Sequence, residues 1–545
     1  MCGIWLYLNL IKPINDNEKN ILFDNFIKTK SRGPNNSSFE IYNNNAIVGF
    51  HRLKIMDLKF HSNQPYILEF DNKTIIFICN GEIYNYEKLI KKYKLDIFNN
   101  SDCLVIPKLY IKFYNDYEFF LKLFIYEIIG EYSFYLLEYD ENNNFKHIVI
   151  GRDHVGIRPL YTNIINKLST EIILSSEIKS LVNYKNNIIE HIPGNITTIL
   201  LNNIENIVKI TNYDITFIYN IIHINEYKEE NYYLEMIRRS VINSIKRRLK
   251  ADVPIGFLLS GGVDSSLVCS ISNKILNNKI KTYCCGIKNG TDLNFAKKVA
   301  DYISSEHKEV LFDATDAINS IKNVIYAIES WDITTIRASI GQYLISKYIS
   351  ENTQNKVLLV GEGPDEVCSS YLFNYYAPVE ELHDCCIEFV KNIHLYDGRR
   401  ADRCAGSWGL EVRIPFLDPE FISSYWAIPP KLRHPKYKNC EKWWLRKAFE
   451  STNLLPQEVL WRKKEAFSDG ISDKENSLYG IIQEYVETLN IKLEDNVPTK
   501  EAQYYKNIFI NYFGSHRVNI LKNYWQPKWI SKEFTDPSAR TLDIY

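Results

Sequence analysis

A glycine-rich turn in the second half of the chain joins an apolar run, Ile255–Leu259, to a helical segment. The turn spans Ser260–Ser266 and has the sequence SGGVDSS. Its glycines allow several backbone N–H groups to point at one anion, and the N-terminus of the following helix adds its dipole. The serine hydroxyls and Asp264 suit a pyrophosphate with Mg²⁺. Because no lysine follows the glycines, this is not a Walker A motif. The turn predicts a nucleotide site and disfavours a plain serine-capped turn.

Strand-like and helical segments alternate after this turn, which predicts a parallel α/β sheet with ligands at the carboxyl ends of its strands. The expected strands are Lys281–Ile287, Glu309–Phe312 and Lys356–Val360, and the expected helices are Phe295–Ser304 and Ala317–Glu329. The last of these strands ends at the acidic loop Gly361–Glu366. Such a loop would hold a metal or perform acid–base work at the same edge of the sheet, and a solvated acidic turn is the plain alternative.

The first half, to about residue 210, has a different pattern of short β-type runs and turn signals such as Arg32-Gly33-Pro34 and Asn80-Gly81. Helical stretches are expected at Asp16–Lys30 and Asp102–Asn115. The expected strands are Gly3–Leu8, Ala46–His51, Ile75–Asn80, Tyr132–Tyr139, His147–Arg152 and Glu171–Ser175. This pattern predicts an α+β domain with antiparallel sheets.

Length and composition limit the classes of protein that remain. A chain of 545 residues suggests two or three domains, and 65 basic against 66 acidic residues gives no bulk attraction to nucleic acid or to an anionic membrane. We place an irregular linker at residues 211–230, between domains at 2–210 and 231–545. No apolar run reaches the length of a membrane span, and no basic residue precedes the apolar start of the chain. The 11 cysteines form no CxxC pair, which predicts reduced thiols in the cytoplasm.

Cys2 is a candidate nucleophile because of its position. Removal of Met1 would leave Cys2 with a thiol and an α-amine of pKa about 7.7–8.0, which can act as a base for its own side chain. Arg52 could hold a substrate carboxylate, Asn80–Glu82 could form an oxyanion hole, and Asp102 could pair with an ammonium group. The plain alternatives are a cysteine beginning an edge strand, a surface ion pair, a hairpin turn and a helix N-cap.

These segments together resemble the family of glutamine-hydrolysing asparagine synthetases over nearly the whole chain. The first half is similar to a class II glutamine amidotransferase domain, with matching blocks MCGIW, SRGPN, FHRLKIMD, NGEIYN, SDCLVI and GRDHVGIRPLY. The second half is similar to an ATP-pyrophosphatase-type synthetase domain, with matching blocks LLSGGVDSSLV, ESWDITTIRASIGQYLISKYI, GEGPDE, LYDGRRADRCAGSWGLEVRIPFLD, WRKKEAFSDG and TDPSART. The resemblance therefore implies an α+β N-terminal-nucleophile hydrolase sandwich followed by an α/β parallel-sheet domain.

The resemblance also implies the activity. ATP and Mg²⁺ would support synthesis of L-asparagine from L-aspartate with ammonia from L-glutamine. The reaction would proceed through β-aspartyl-AMP and release AMP, pyrophosphate and L-glutamate. The partners would be these small molecules, without nucleic acid or membrane, in the cytoplasm, and the resemblance leaves a homodimer open.

Site residues follow from the resemblance block by block. The catalytic positions would be Cys2, Asn80, Gly81 and Glu362. The glutamine-binding positions would be Arg52, Leu53, Lys54, Ile55, Met56, Asn80, Gly81, Glu82 and Asp102. The ATP-binding positions would be Leu259, Ser260, Gly261, Gly262, Asp264, Ser265, Ser266, Cys285, Val360, Gly361 and Lys464. The aspartyl-AMP pocket would contain Arg337, Asp397, Arg400 and Arg413, and the metal ligands would be Asp264 and Asp365.

Some positions depart from the family's pattern. They are Ser31 in place of His, Asn35 in place of Asp, Val263 in place of Leu, Val360 and Pro364 in place of two serines, and Ser369-Ser370 where Gly is common. The first two bear on the efficiency of glutamine hydrolysis, and Val360 and Pro364 on hydroxyl contacts beside the nucleotide. None of them replaces Cys2 or Glu362.

Three related classes of protein compete with this interpretation. A β-lactam-forming synthetase typically lacks the nucleophilic cysteine, and other class II amidotransferases carry a different second half. A regulatory homologue would have lost Cys2, Glu362 or Asp264, and all three are present. The alternative kept open is a related amidating or cyclising synthetase that acts on another carboxylate.

Overall fold

The computed structural model describes residues 1–184, 187–201, 207–216, 228–464, 470–472, 477–520 and 528–529. Two units are present. One contains Met1–Phe217, Ala251–Val253 and Gly406–Leu410; the other contains Ile218–Lys250, Pro254–Ala405 and Glu411–Tyr545. Residues 465–469 of the WRKKEAFSDG block and the whole TDPSART block lie outside the described residues.

Antiparallel sheets build the first unit. Its strands are β1 Gly3–Asn9, β2 Asn36–Tyr42, β3 Ala46–Arg52, β4 Tyr66–Phe70, β5 Lys73–Ile83, β6 Gly130–Tyr139, β7 Phe145–Arg152, β8 Tyr161–Asn163, β9 Glu171–Ser175, β10 Ile188–Glu190, β11 Asn195–Leu201 and β12 Ile207–Asp214. The strand orders are β10-β8-β9-β1-β3-β2 and β12-β11-β7-β6-β5-β4. Every pair of neighbouring strands is antiparallel, as the sequence predicted.

One apolar core lies between these two sheets. Ile4, Leu6 and Leu8, at alternate positions of β1, share it with Ile78 of β5 and Leu137 of β6. Every second residue of β1 reaches this core because successive side chains of a strand point to opposite faces of the sheet. Among its described residues, this unit has four α-helices: α1 Asp16–Ile27, α2 Tyr86–Tyr93, α3 Val105–Lys112 and α4 Tyr117–Tyr126. The predicted helix at Asp102–Asn115 is α3, preceded by a 3₁₀ turn at Asp102–Leu104.

A parallel sheet forms the second unit, which confirms the predicted fold class. Its strands are β13 Ile255–Leu258, β14 Lys281–Gly286, β15 Glu306–Leu311, β16 Val357–Leu359 and β17 Glu411–Arg413. Their order is β15-β14-β13-β16-β17, and all pairs are parallel. The three-residue strand β17 was not predicted because it is too short to show an apolar period.

Helices follow or precede each of these strands. They are α5 Glu230–Arg248, α6 Val263–Leu276, α7 Thr291–Tyr302, α8 Ala314–Ile328, α9 Ile333–Asn352, α10 Pro364–Val367, α11 Leu382–Asn392, α12 Asp397–Gly406, α13 Pro419–Trp426, α14 Pro430–Arg433, α15 Trp443–Glu450, α16 Gln457–Leu460, α17 Leu478–Glu487 and α18 Lys500–Phe513. Within the described ranges, none of the helices is long and apolar enough to cross a membrane.

The predicted linker needs a correction. Strand β12 continues to Asp214, so residues 211–214 belong to a sheet, and α5 begins at Glu230. Pairing with β11 across Asn195–Leu201 explains the longer strand, because each added residue of β12 finds a partner there. Residues 217–227 of the predicted linker lie outside the described residues.

Candidate active sites

Cys2 lies immediately before β1 and is held by the surrounding main chain and buried side chains. Its backbone N–H donates to Asn80 Oδ1 at 2.9 Å, and its thiol sulfur accepts from the N–H of Leu53 at 3.4 Å. Its carbonyl accepts from Arg32 Nε at 2.9 Å, and Arg32 forms a buried ion pair with Glu177 at 3.0 Å. The contacts bring together the predicted nucleophile, Asn80 and the glutamine-binding segment.

Met1 precedes the candidate nucleophile and is only 1% exposed. Its ammonium donates to the carbonyl of Leu410 at 3.4 Å. The nitrogen of Cys2 is therefore a peptide nitrogen here, and the predicted α-amine requires loss of Met1.

Asn80 and Gly81 are adjacent positions of β5, opposite Ser133 and Tyr132 of β6. A Cβ at Gly81 would lie 2.3 Å from the carbonyl oxygen of Glu131, so no side chain fits there. Asn80 is 1% exposed, and its Nδ2 has no hydrogen-bond partner in the described part of the chain. Since buried donors are normally paired, this amide is suited to a transient acceptor such as an oxyanion.

Arg52 organises the loop that follows β3. Its Nη1 donates to the carbonyl of Lys59 at 2.8 Å and to Asn63 Oδ1 at 2.7 Å. Its Nη2 donates to the carbonyls of Met56, at 3.3 Å, and Asp57. Both terminal nitrogens therefore have partners within the chain, and a direct clamp on the substrate carboxylate stays a prediction.

The remaining glutamine-binding positions are mostly buried. Leu53, Ile55, Met56, Glu82 and Asp102 are each less than 9% exposed, and Lys54 is half-buried. Asp102 Oδ2 accepts from the N–H of Ile83 at 2.5 Å, which fixes this carboxylate beside β5. Asn35 Oδ1 accepts from the N–H of Lys54 at 3.0 Å. The departure at position 35 therefore keeps an oxygen acceptor for the glutamine-binding segment.

A cavity of about 320 Å³ opens at the carboxyl ends of β13, β14 and β16 in the second unit. Most of the predicted ATP, metal and aspartyl-AMP positions line it. They are Leu259, Ser260, Gly262, Asp264, Ser265, Cys285, Arg337, Gly361, Glu362, Asp365, Asp397, Arg400 and Lys464. The parallel topology explains the convergence, because loops after neighbouring parallel strands meet at one edge.

Four predicted positions are not part of the cavity lining: Gly261, Ser266, Val360 and Arg413. Gly261 has φ +75°, and a Cβ there would lie 2.5 Å from the backbone nitrogen of Ala296. Ser266 and Val360 are fully buried. Arg413 is fully buried too; its guanidinium pairs with Glu411 at 2.8 Å and donates to the carbonyls of Arg248 and Lys250. These positions shape the turns and packing behind the cavity, and the assignment of Arg413 to the aspartyl-AMP pocket stays a prediction.

A lysine joins the two predicted metal ligands. Lys442 Nζ lies 2.5 Å from Asp264 Oδ2 and 2.6 Å from Asp365 Oδ1, and Lys464 also pairs with Asp365. Burial alone would raise the pKa of Asp365, but Lys442 and Lys464 hold that pKa well below its usual range. Burial raises the pKa of Asp264, although Lys442 opposes the shift.

The carboxylate pair fits a hard divalent cation. Asp264 Oδ1 is buried and has no hydrogen-bond partner among the described residues. Asp264 lies in the first turn of α6 and Asp365 in the first turn of α10, and carboxylate oxygens are the ligands that Mg²⁺ prefers.

Glu362 lies beside a second charged group in the same cavity. Arg400 Nη2 is 3.6 Å from Glu362 Oε1 and 3.3 Å from Asp397 Oδ1. Burial raises the pKa of Glu362, and Arg400 opposes that shift. Burial and the nearby Asp397 raise the pKa of Glu366 to about 8, and the Tyr371 hydroxyl donates to Glu366 Oε1 at 2.6 Å. The acidic loop therefore presents carboxyl groups with different proton affinities.

Arg337 lines the cavity but is held by groups that the sequence did not indicate. It forms a buried two-point ion pair with Glu501 of α18, with Nε–Oε1 at 2.9 Å and Nη2–Oε2 at 2.5 Å. Its guanidinium carbon lies 4.5 Å from the centre of the Tyr479 ring. Sequence reasoning also missed Lys442, because no glycine turn or periodic pattern marks that position. Only the contacts in three dimensions identify these residues.

Comparison with known proteins covers the whole chain. A family model described as "Glutamine amidotransferase domain" matches residues 1–227, and one described as "Asparagine synthase" matches residues 236–384 and 377–532. The chain is 37% identical over 585 residues to "Asparagine synthetase [glutamine-hydrolyzing]" of Rattus norvegicus, covering 100% of this chain and 99% of the relative. The protein of the same description from Homo sapiens is 37% identical over 584 residues, with the same coverage.

Proposed function

The chain belongs to the family of glutamine-hydrolysing asparagine synthetases, and we propose that its two candidate sites divide the reaction between them. It is an ATP-using ligase that makes asparagine with ammonia from glutamine. One observation carries the division: Cys2 and Glu362 belong to different units, and each is surrounded by the groups that its own half-reaction needs. We assign the amidotransferase half to residues 2–214, to the end of β12, and the synthetase half to residues 230–545, from the start of α5.

Glutamine hydrolysis takes place at Cys2. After Met1 is removed, the α-amine takes the proton of the thiol, and the thiolate attacks the side-chain amide of glutamine. Asn80 Nδ2 and the N–H of Gly81 stabilise the oxyanion, ammonia leaves, and water releases glutamate from the thioester. Asp102 pairs with the ammonium group of glutamine. Its α-carboxylate lies toward Arg52, and Leu53–Met56 and Glu82 form the rest of the pocket.

ATP occupies the cavity of the second unit. The backbone N–H groups of Ser260–Ser265 and the N-terminus of α6 hold the pyrophosphate, with Lys464 beside it. The backbone near Leu259, Cys285 and Gly361 contacts the nucleoside. Asp264 and Asp365 would hold Mg²⁺, which when bound neutralises charge on the leaving pyrophosphate. Lys442 must then exchange at least one of its carboxylate contacts for a phosphate oxygen.

Glu362 directs the chemistry of aspartate. Arg400 and Asp397 fix its position, and Glu362 aligns the β-carboxylate of aspartate, which attacks the α-phosphorus of ATP to form β-aspartyl-AMP with release of pyrophosphate. Ammonia then attacks the acyl carbon, AMP leaves, and Glu362 accepts a proton from the attacking nitrogen. A carboxylate whose pKa is raised by burial is a better base for this step than an exposed one. Arg337, held by Glu501, lies at the wall of this pocket.

Location and assembly are further parts of the proposal. None of the eleven cysteines is in a disulfide, which supports a reducing compartment such as the cytoplasm. A homodimer stays a prediction, and sedimentation equilibrium of the purified chain would measure the state of assembly.

The proposed reaction has a direct test. Incubating the full chain, free of Met1, with aspartate, MgATP and glutamine labelled with ¹⁵N in the side-chain amide should place the label in the side-chain amide of asparagine. AMP, pyrophosphate and asparagine should appear in equal amounts, and glutamate should match or exceed them. Replacing aspartate by glutamate serves as the control for substrate identity. Formation of ADP, or label in a different product, would contradict the proposal.

A further inference from the structure

Gln342 is a buried amide on the wall of the nucleotide cavity. It lies on the face of α9 that lines the cavity, together with Ala338 and Ile345 at helical spacing. Its side chain is 2% exposed, and in the described part of the chain neither Nε2 nor Oε1 has a hydrogen-bond partner. A buried amide that leaves both atoms unpaired is costly unless a ligand pairs with it. This residue therefore points to a ligand group with one donor and one acceptor side by side.

The position of Gln342 selects the part of the nucleotide that it can reach. The preceding residue, Gly341, accepts a hydrogen bond from the Cys285 thiol at 3.2 Å, which holds α9 against the end of β14. The phosphate turn follows β13, the next strand of the sheet. Gln342 therefore flanks the Cys285 side of the cavity, where the proposed function places the nucleoside.

The surroundings of Gln342 favour the base over charged groups. The lining residues of α9 nearest to it in the helix are the apolar Ala338 and Ile345. Thr334 and Arg337 line the cavity from earlier in α9, and Arg337 is paired with Glu501. Lys442 and Lys464 lie with Asp264 and Asp365 beside the phosphate turn. A neutral amide in an apolar wall is suited to a flat, neutral, hydrogen-bonding ligand.

We propose that Gln342 recognises the adenine base of ATP and so determines the nucleotide specificity of the synthetase site. Its Oε1 accepts a hydrogen bond from the 6-amino group, and its Nε2 donates to ring nitrogen N7. Glutamine recognises adenine in DNA by this pairing. A purine without the 6-amino group leaves Oε1 unpaired. This inference rests on the proposed function, because it takes ATP as the occupant of the cavity.

The test compares ATP with purine riboside triphosphate, which lacks only the 6-amino group. Pyrophosphate release is measured with aspartate and ammonium chloride, on the full-length wild type and on Gln342→Met, which keeps the length of the side chain. The wild type should prefer ATP in kcat/KM by roughly 5- to 150-fold. In Gln342→Met this ratio should fall close to one, because the substitution lowers kcat/KM for ATP and leaves kcat/KM for purine riboside triphosphate nearly unchanged.

Ile345→Met provides the matched control, since Ile345 lines the cavity on the same face of α9. It should alter the use of both nucleotides alike and leave their ratio unchanged. Without nucleotide, Gln342→Met should unfold at the wild-type temperature or above, because a buried unpaired amide has been removed. A ratio that is unchanged in Gln342→Met would overturn the proposal.

The remaining outcomes are also decisive. If Gln342→Met fails to fold, the wild type alone still tests the assignment. Equal kcat/KM values of the wild type for the two nucleotides would overturn it. If Gln342→Met instead loses discrimination against 2′-deoxy-ATP, the amide binds the ribose and the base assignment is wrong. A wild type that forms no AMP with aspartate would refute the proposed function itself. The ¹⁵N experiment with ATP shows that failure before nucleotide selectivity is measured.

Discussion

The two candidate sites are held in place by different kinds of contact. At Cys2, the main chain of the nucleophile bonds to Asn80 and Arg32, and its sulfur accepts from a backbone N–H. In the synthetase cavity, charged side chains hold one another: Lys442 joins Asp264 to Asp365. The first site therefore depends on shape and backbone position, and the second depends on compensation of charge.

This difference predicts different responses to mutation. At the amidotransferase site, a small change such as a side chain at Gly81 collides with the main chain of β6. At the synthetase site, removal of one charge leaves its buried partner uncompensated, which costs more than the lost attraction alone.

Cys2→Ala should have the largest effect. The thiol is the group that forms the thioester, so glutamate release should fall by at least about ten-thousand-fold. Asparagine synthesis from added ammonium chloride should continue near the wild-type rate, because the charged cavity is unchanged. Both rates are measured on the same preparation by chromatography of the amino acids. Equal loss of asparagine synthesis with glutamine and with ammonium chloride would contradict the assignment of the two reactions to separate sites.

Glu362→Gln should impair the synthetase reaction and spare glutamine hydrolysis, the reverse of Cys2→Ala. It keeps the shape of the side chain and removes the carboxylate beside Arg400, so pyrophosphate release with aspartate should fall by about a hundred- to ten-thousand-fold. Glutamine hydrolysis should persist. Asp397→Asn tests the neighbouring carboxylate and should cost less, since we assign it a positioning role. Near-normal asparagine formation by Glu362→Gln would place the acid–base group at Asp365 or Glu366.

Lys442→Met should reveal charge compensation as a loss of stability. Without Mg²⁺, the variant leaves Asp264 without its lysine and Asp365 with Lys464 alone, which should cost about 3 kcal/mol in the free energy of unfolding, the lower end of the range for a broken buried pair. Adding MgCl₂ should raise the unfolding temperature of the variant more than that of the wild type, because the lysine no longer competes for the carboxylates.

Lys447→Met is the matched control for Lys442→Met. Lys447 is 34% exposed and forms a helix-surface pair with Glu450, which contributes at most about 1 kcal/mol. Its stability should not depend on Mg²⁺. If the two lysine variants lose stability equally, or if Mg²⁺ stabilises both alike, the account of the carboxylate pair is wrong.

The smallest effect concerns pH and Glu366. Its pKa of about 8 in the folded chain exceeds the unfolded value of 4.5, so between these values the folded state binds more protons. The free energy of unfolding therefore falls as pH rises across this range. Glu366→Gln should unfold like the wild type near pH 4, below the unfolded pKa, and at a higher temperature above pH 8. The exposed Glu458→Gln should show no such divergence, and parallel curves for Glu366→Gln would contradict the shift.

The fold class was predictable because strands in the sheets of both units carry local signals, although β2, β4, β8, β10, β11 and β12 of the first unit were not predicted. The short β-type run Gly3–Leu8 and the apolar runs ending at Leu259 and Val360 marked strands, and the turn at Ser260–Ser266 marked the sheet edge. β17 was not predicted because it has only three residues. Its pairing with β16, rather than a pattern in its own sequence, defines it as a strand.

The candidate sites were predictable only where a motif carries its own geometry. The glycine turn and the acidic loop fall where expected. Arg413 lies outside the cavity lining, where it donates to main-chain carbonyls of residues 248 and 250, and no local pattern indicated those distant partners. Lys442, Glu501 and Gln342 act through contacts across long sequence separations, and no local pattern distinguishes such residues from ordinary core or surface positions.

The measurement that tests the division of labour most directly assays two variants in two reactions side by side. Glutamate release from glutamine and pyrophosphate release from ATP, with aspartate and ammonium chloride, are measured for Cys2→Ala and for Glu362→Gln at matched protein concentrations. The account predicts a reciprocal pattern: Cys2→Ala loses the first reaction and keeps the second, and Glu362→Gln keeps the first and loses the second. Loss of both reactions in either variant, with its unfolding temperature unchanged, would contradict it.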